Sequence, residues 1–270
     1  MPGPFYGLTA ASGLHILKDS WCQKSYLQEQ CSYLAENLTA AIQTTFDAAP
    51  LRDGSFQLDR ADNDDIDESQ RERRWERSAY RRWRTGTTSP IPKCWQRLVA
   101  FQVPLFGSLE VDHWGYIDLL GLLVDGTPCI VELKREPTTS PQGSTQTSES
   151  PLRMVLEAAA YAISLRKNWE RFLPEFCRRL ESLEVQSALI ERLPKTLTKV
   201  QLVGVAPAAY WLDWLPVTEK GRTVSDDAWK AFRKLTDRLG DEGLSVSFVS
   251  VSGDIDRPGS LAAQPLTVFP

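Results

Sequence analysis

The chain has 270 residues, enough for one large domain or two small ones. With 42% hydrophobic and 24% charged residues it has the make-up of a globular protein, which excludes a disordered or fibrous chain. The net charge of −4 excludes generalised electrostatic attraction to nucleic acid, so any such binding needs a local basic patch.

Residues 26–46 are predicted helical, because Leu27, Leu34, Leu38, Ile42 and Phe46 recur near helical spacing along one stripe. Residues 50–90 change character: an acidic run, DRADNDDIDESQ, precedes a basic one, RERRWERSAYRRWR. Arg71 to Arg84 holds seven arginines and two glutamates, a local charge of +5. Such charge-segregated stretches rarely pack a core, so 50–90 reads as an excursion carrying a helix over about 68–84. From 95 the pattern turns to strands. WQRLVAFQVPLFG is the first, with an edge or bend at Pro104. GYIDLLGLLV (115–124) and TPCIVELK (127–134) follow as a hairpin about the turn signal Asp125-Gly126.

Residues 137–150 are polar and low in complexity, predicting a mobile loop. A helix then opens at Pro151, with Met154, Leu156, Ala160 and Ile163 on its apolar side. Helical pattern continues through 168–192 with an interruption expected at Pro174. KVQLVGVAP (199–207) reads as a buried strand. Ser225 caps a helix that ends at Gly240, and LSVSFVSVS (244–252) alternates as a last strand. Trp211, Trp214 and Trp229 read as core or partner surface. The tail 253–270 is turn-rich and predicted loose. The fold class expected is α/β, a mixed central sheet flanked by helices, in one domain over 20–255 whose core is 91–255 plus the helix 26–46.

The five cysteines include no CxxC pair, which predicts free thiols in a reducing compartment. The start has no basic stretch followed by an apolar core, and no apolar run approaches the ~20 residues that span a bilayer. A cytoplasmic protein with no membrane partner is therefore expected. His15 and His113 are the only histidines, which leaves little room for histidine-based hydrolysis.

Charge stands where a strand core should not carry it. Asp118 interrupts the first hydrophobic run of the hairpin, and Glu132 and Lys134 close the second. Buried charge is costly unless it is paired or holds a metal. Alternation puts Ile130, Glu132 and Lys134 on one face and Val131 and Leu133 on the other, which should pack on a helix. A two-residue turn sets Asp118 near residue 133, within a register step of Glu132 and Lys134. Two carboxylates and a lysine suit Mg²⁺ or Mn²⁺, with the Leu133 carbonyl as a further oxygen ligand. Lys134 is placed to orient a water or to hold developing negative charge.

Asp118, thirteen residues, and then Glu132-Leu133-Lys134 resembles the motif of the PD-(D/E)XK nuclease superfamily. The element order over about 95–205 is similar to that family's core. The resemblance implies a restriction-endonuclease-like fold and metal-dependent cleavage of phosphodiesters, in DNA rather than RNA, with Asp118 and Glu132 as metal ligands and Lys134 as catalytic lysine. Ile117 stands where the family name has proline. Members often carry a further acid on a leading helix, for which Glu36 is the candidate, with Glu110 and Asp112 as competitors. Exonuclease-type members carry Gln-x-x-x-Tyr on the following helix, where this chain has Glu157 and Tyr161.

The arginine helix has two readings. Arg73, Arg74, Arg77, Arg81, Arg82 and Arg84, interleaved with Trp75, Tyr80 and Trp83, can grip phosphates and stack on bases. Alternatively they clasp the acidic run before them. Rival functions are a non-catalytic nucleic-acid-binding or scaffold module of the same fold, and a nuclease subunit that needs a protein partner for targeting. A homodimer is compatible with either.

Overall fold

A computed structural model of the chain describes residues 24–59, 71–84, 95–105, 115–135, 149–214, 224–253 and 261–266. Of 71–73, 95–96 and 213 it describes the backbone alone. Glu110, Asp112, both histidines and 137–148 of the polar loop lie outside the described residues.

Among these residues six strands form one mixed sheet in chain order. They are β1 (Trp95–Pro104), β2 (Tyr116–Leu123), β3 (Pro128–Leu133), β4 (Val200–Pro207), β5 (Leu244–Ser252) and β6 (Ala262–Pro265). The first three pair antiparallel, β3–β4 and β4–β5 are parallel, and β6 returns antiparallel to β5. Parallel neighbours need long crossovers, and helices supply them. Between β3 and β4 run α4 (Pro151–Lys167), α5 (Trp169–Ser182) and α6 (Ser187–Ile190); between β4 and β5 run α7 (Ala208–Trp214) and α8 (Asp226–Asp241). Before the sheet come α1 (Leu27–Glu36), α2 (Leu38–Ala48) and α3 (Arg71–Trp83). The α/β architecture expected from the sequence is thus observed.

One face of the sheet carries Leu120, Leu122, Ile130 and Leu202 and packs against α1, α2, α4, α5 and α8. The other carries Leu119, Val131, Leu133 and Val205 and packs against α3. Helix α4 is central. Ser150 caps it by accepting the Arg153 N–H at 3.2 Å, and Pro151 takes its first position. Its Ala-rich middle is buried all round, as suits a helix wedged between a sheet and other helices. Gly204 on β4 makes this approach possible: a Cβ there would collide with Met154 Sδ and lie 2.8 Å from Phe248 Cδ1.

Four expectations need correction. The predicted helix 26–46 is two helices, because Asn37 leaves helical geometry (φ −108, ψ 15) and its amide donates to the Tyr33 carbonyl at 2.9 Å. Pro174 lies inside α5, and the chain breaks instead at Glu184, whose φ of 58 closes a Schellman turn with Val185 N–H on the Leu180 carbonyl at 3.0 Å. The tail is not wholly loose, since β6 pairs Val251 with Ala263. The described parts of the excursion 50–90 do pack into the core, through Phe56, Leu58 and helix α3. Helix α3 is amphipathic, and Trp75, Ala79, Tyr80 and Trp83 sit against the sheet. Those aromatics are buried, so they do not form a base-stacking surface. Trp211, Trp214 and Trp229 are core, and Cys31 and Cys129 are buried free thiols whose pKa burial pushes up.

Candidate functional site

The hairpin between β2 and β3 sets the site's register. Its loop has three residues, Val124 to Gly126, not two. Gly126 N–H donates to the Leu123 carbonyl at 3.0 Å with φ +89, and Leu123 N–H donates to the Thr127 carbonyl at 2.9 Å. The extra loop residue corrects the expected pairing by one position. Leu120 faces Ile130 and Leu119 faces Val131. One step further along the ladder sets Asp118 opposite Glu132, on the face toward α4.

Asp118 is half-buried, and its Oδ2 accepts the Leu133 N–H at 2.8 Å. The next N–H, of Lys134, turns the other way to the Val205 carbonyl on β4 at 2.9 Å. A strand residue's N–H and C=O point to the same side, so the Leu133 carbonyl is directed toward the Asp118 edge of β3. Glu132 is 4% exposed and Lys134 6%. Lys134 Nζ meets Glu132 Oε1 at 2.9 Å and Glu149 Oε2 at 2.9 Å, and also bonds Glu157 Oε2. Arg153, one turn before Glu157 on α4, reaches Glu157 Oε1 at 3.1 Å and Glu149 Oε1 at 2.8 Å. The second oxygen of Glu132, Oε2, is buried, and the Glu157 carboxyl lies close enough to Glu132 to raise its pKa.

A cleft of about 270 Å³ opens over these side chains. Five carboxyl groups line it, from Glu76, Asp118, Glu132, Glu149 and Glu157, against the cations of Lys134 and Arg153. Electrostatics follow from that surplus. Burial, Asp118 and Glu157 push the Glu132 carboxyl well above the usual range, against the pull of Lys134. Burial also pushes Glu157 up, but Lys134 and Arg153 outweigh it and the net direction is down. Burial pulls Lys134 down, and the carboxylates of Glu132, Glu157, Glu149 and Asp118 overcome this and hold it charged. Tyr161 is held protonated, by burial first and then by Glu132, Glu157 and Asp118.

The structure therefore gathers Asp118, Glu132, Lys134, Glu157 and Tyr161 around one cleft. Glu36 does not join them: it is exposed at the end of α1, which packs on α8. The carboxylate that arrives from a helix preceding the sheet is Glu76 of α3, 2% exposed and hydrogen-bonded by the Gln102 side-chain amide. Gln102 holds a left-handed backbone (φ 51) in the middle of β1, a strained conformation of the kind that accompanies functional sites. Sequence reading missed Glu76, Gln102, Glu149 and Arg153. Two signals point to them: a glutamate inside the buried stripe of an amphipathic helix, and the i, i+4 spacing of Glu149, Arg153 and Glu157.

Of the arginines on α3 and just after it, Arg81 and Arg84 are exposed, while Arg74, Arg77 and Arg82 are half-buried. Arg82 Nε donates to the Leu261 carbonyl at 3.0 Å. The side chain of Arg73 and the acidic run after Asp59 lie outside the described residues. Among the described residues, no group of three His, Cys, Asp or Glu side chains is disposed to hold a metal ion, and no helix is long and apolar enough to cross a membrane. Comparison of the chain with protein-family models, with curated proteins and with solved structures finds no match in any of the three.

Proposed function

We propose that the cleft hydrolyses phosphodiester bonds with the help of a divalent cation, most naturally in DNA, as a PD-(D/E)XK-type nuclease. The observation that carries this reading is the meeting of Asp118 and Glu132 across the β2–β3 ladder, in a cleft lined by five carboxyl groups and only two cations. Burial, Asp118 and Glu157 push Glu132 toward its neutral form, and a bound cation would relieve that crowding of carboxyl groups. The ammonium of Lys134 already stands in for one by bonding Glu132 and Glu157.

The donor set fits Mg²⁺ or Mn²⁺. Such ions are held through one or two carboxylates, with waters and phosphate oxygens completing the shell, so a closed cage of three protein ligands is not required. Asp118 and Glu132 would hold the ion, with the Leu133 carbonyl as a further oxygen on the same side. When bound, a divalent cation polarises the phosphate and lowers the pKa of a coordinated water. The chain's own residues do the rest. The backbone bond from Leu133 keeps Asp118 in place. Lys134, held cationic, orients the attacking water and offsets charge that develops on the phosphate. Tyr161 keeps its proton and remains a donor at the cleft wall. Arg81 and Arg84 give α3 an exposed basic edge suited to backbone phosphates.

One observation favours a second reading. Lys134 is saturated by Glu132, Glu149 and Glu157, as in a purely structural charge cluster. The chain would then be a non-catalytic nucleic-acid-binding module, or a nuclease subunit activated by a protein partner. Incubation with linear, circular and single-stranded DNA in Mg²⁺ or Mn²⁺ separates these readings. The nuclease reading requires cleavage by the wild type that an Asp118→Ala/Lys134→Ala variant lacks. Absence of cleavage by the folded wild type on all three substrates would overturn it.

A further inference from the structure

Glu149 stands in an unusual position. It immediately precedes the cap of α4, and its carboxylate lies across two cations, Oε1 on Arg153 Nη1 at 2.8 Å and Oε2 on Lys134 Nζ at 2.9 Å. Its side chain is 35% exposed, whereas those of Lys134 and Arg153 are 7% and 19% exposed. A partly solvated carboxylate is therefore the outermost of these three side chains, and the two cations are the more buried ones. Arg153 is fixed by Glu157, which its Nε meets at 3.1 Å, and by its place in the first turn of a 17-residue helix. Lys134 is fixed by Glu132 and Glu157.

One anion whose two oxygens lie on an arginine Nη1 and on an ammonium at the start of a helix occupies a place of the kind that receives a phosphate. Here that place is filled from within the chain, in the same cleft that Asp118 and Glu132 line.

We propose that Lys134 and Arg153 form a phosphate subsite at the mouth of the cleft, and that Glu149 is an internal anion which occupies it until a backbone phosphate of the nucleic acid displaces it. This deepens the nuclease reading and rests on it: the subsite would seat the phosphodiester beside Asp118 and Glu132. The occupied and open states differ in one side chain, so no larger movement is needed. Internal occupancy lowers apparent affinity by the fraction of time the site is filled. Arg153 is then a binding residue for substrate, and Glu149 a competitor that limits unproductive capture of free phosphate.

The test is fluorescence anisotropy of a labelled five-nucleotide deoxythymidylate strand in EDTA, with inorganic phosphate as competitor, alongside thermal melts. Removing the competing charge in Glu149→Gln is expected to tighten binding by roughly threefold to tenfold. Arg153→Gln should weaken it, and Arg153→Lys, which keeps the charge but loses the fork, should weaken it less. The decisive variant is Glu149→Gln/Arg153→Gln. If Glu149 acts by occupying the subsite, the gain disappears in that background. An equal gain in both backgrounds would mean a general charge effect and would overturn the proposal, as would unchanged binding in Glu149→Gln. Should Arg153→Gln fail to fold, Arg153→Lys serves as the second background.

Mg²⁺-dependent cleavage, measured separately, keeps the two readings apart. Cleavage by the wild type with no effect of Glu149→Gln on binding removes the subsite and leaves the nuclease. The non-additive gain without cleavage by any variant keeps the subsite and removes the nuclease.

Discussion

Asp118 Oδ2 accepts the backbone N–H of Leu133 at 2.8 Å, so the first carboxylate of the cleft is fastened to the strand that carries the second. This bond fixes the side chain without neutralising it. Asp118→Asn keeps the shape and an oxygen acceptor but removes the charge. Cation-dependent cleavage is expected to fall by about 100-fold or more, while stability stays within about 1 kcal/mol. Initial cleavage rates and denaturation midpoints of the two proteins check this together. A variant that is folded and cuts at the parent rate would remove Asp118 from the chemistry.

Glu132 and Glu157 share Lys134 but respond to pH with opposite sign. Glu157 is shifted down from 4.5, so folding favours its charged form. It contributes stability above pH 4.5 that is lost as pH falls through and below that value. Glu132 is shifted up from 4.5, so folding favours its neutral form, and it costs stability as pH rises above that value. Glu157→Gln should therefore lose about 3 kcal/mol at neutral pH, with the gap to wild type closing in acid. Glu132→Gln should be at least as stable as wild type at neutral pH, with any gain shrinking toward pH 4.5. Urea unfolding at a series of pH values reads both, and the reverse ordering would contradict this picture of the cleft.

Gly204 pairs with Glu132 across the parallel β3–β4 ladder and lies under Met154 of α4. Its missing side chain is what lets the helix bearing Glu157 and Tyr161 approach the strand bearing Glu132. Gly204→Ala forces Met154 or Phe248 aside and is expected to cost about 2 kcal/mol. Cleavage should fall with it, because α4 is displaced from the cleft. Full stability and full activity in this variant would show that the close contact does not position the site.

On α3, substitutions on the two sides of the helix should separate cleanly. Trp83 is fully buried, and Trp83→Ala is expected to cost about 4 kcal/mol through the cavity left behind. Arg81 is exposed, and Arg81→Ala should leave stability within about 0.5 kcal/mol. If α3 borders bound DNA, the same change weakens binding and lowers the salt slope by about 1. Anisotropy titrations at several salt concentrations measure that slope, and an unchanged slope would take α3 out of the interface.

The hairpin and the gathering of Asp118 with Glu132 and Lys134 on one face were legible in the sequence, because charge inside two apolar runs has few physical excuses. The crossover helix was legible for a similar reason, with Pro151 and an unbroken apolar pattern. Register was one step out, since Asp125-Gly126 signals a turn without saying whether Val124 belongs to it. The packing of α3 was hidden by its composition. Seven arginines mask a stripe of four apolar residues, and with it Glu76, which lies inside that stripe. Glu149 and Arg153 were obscured differently: each is an ordinary charged residue at a loop–helix junction, and only the fold brings them over Lys134. Glu36 is the candidate because it lies on a leading helix, yet three helices precede the sheet among the described residues, and it is α3 that borders the cleft.

The central claim is that the cleft hydrolyses phosphodiesters, with Asp118 and Glu132 as the residues that would hold a divalent cation. It is met most directly by single-turnover cleavage of end-labelled single- and double-stranded DNA across a Mg²⁺ titration, comparing wild type with Glu132→Gln. Cation-dependent products from the wild type, and a folded Glu132→Gln protein that yields none, are expected. Equal cleavage by both proteins, or a wild type that binds DNA without cutting it at any Mg²⁺ concentration, would contradict the claim.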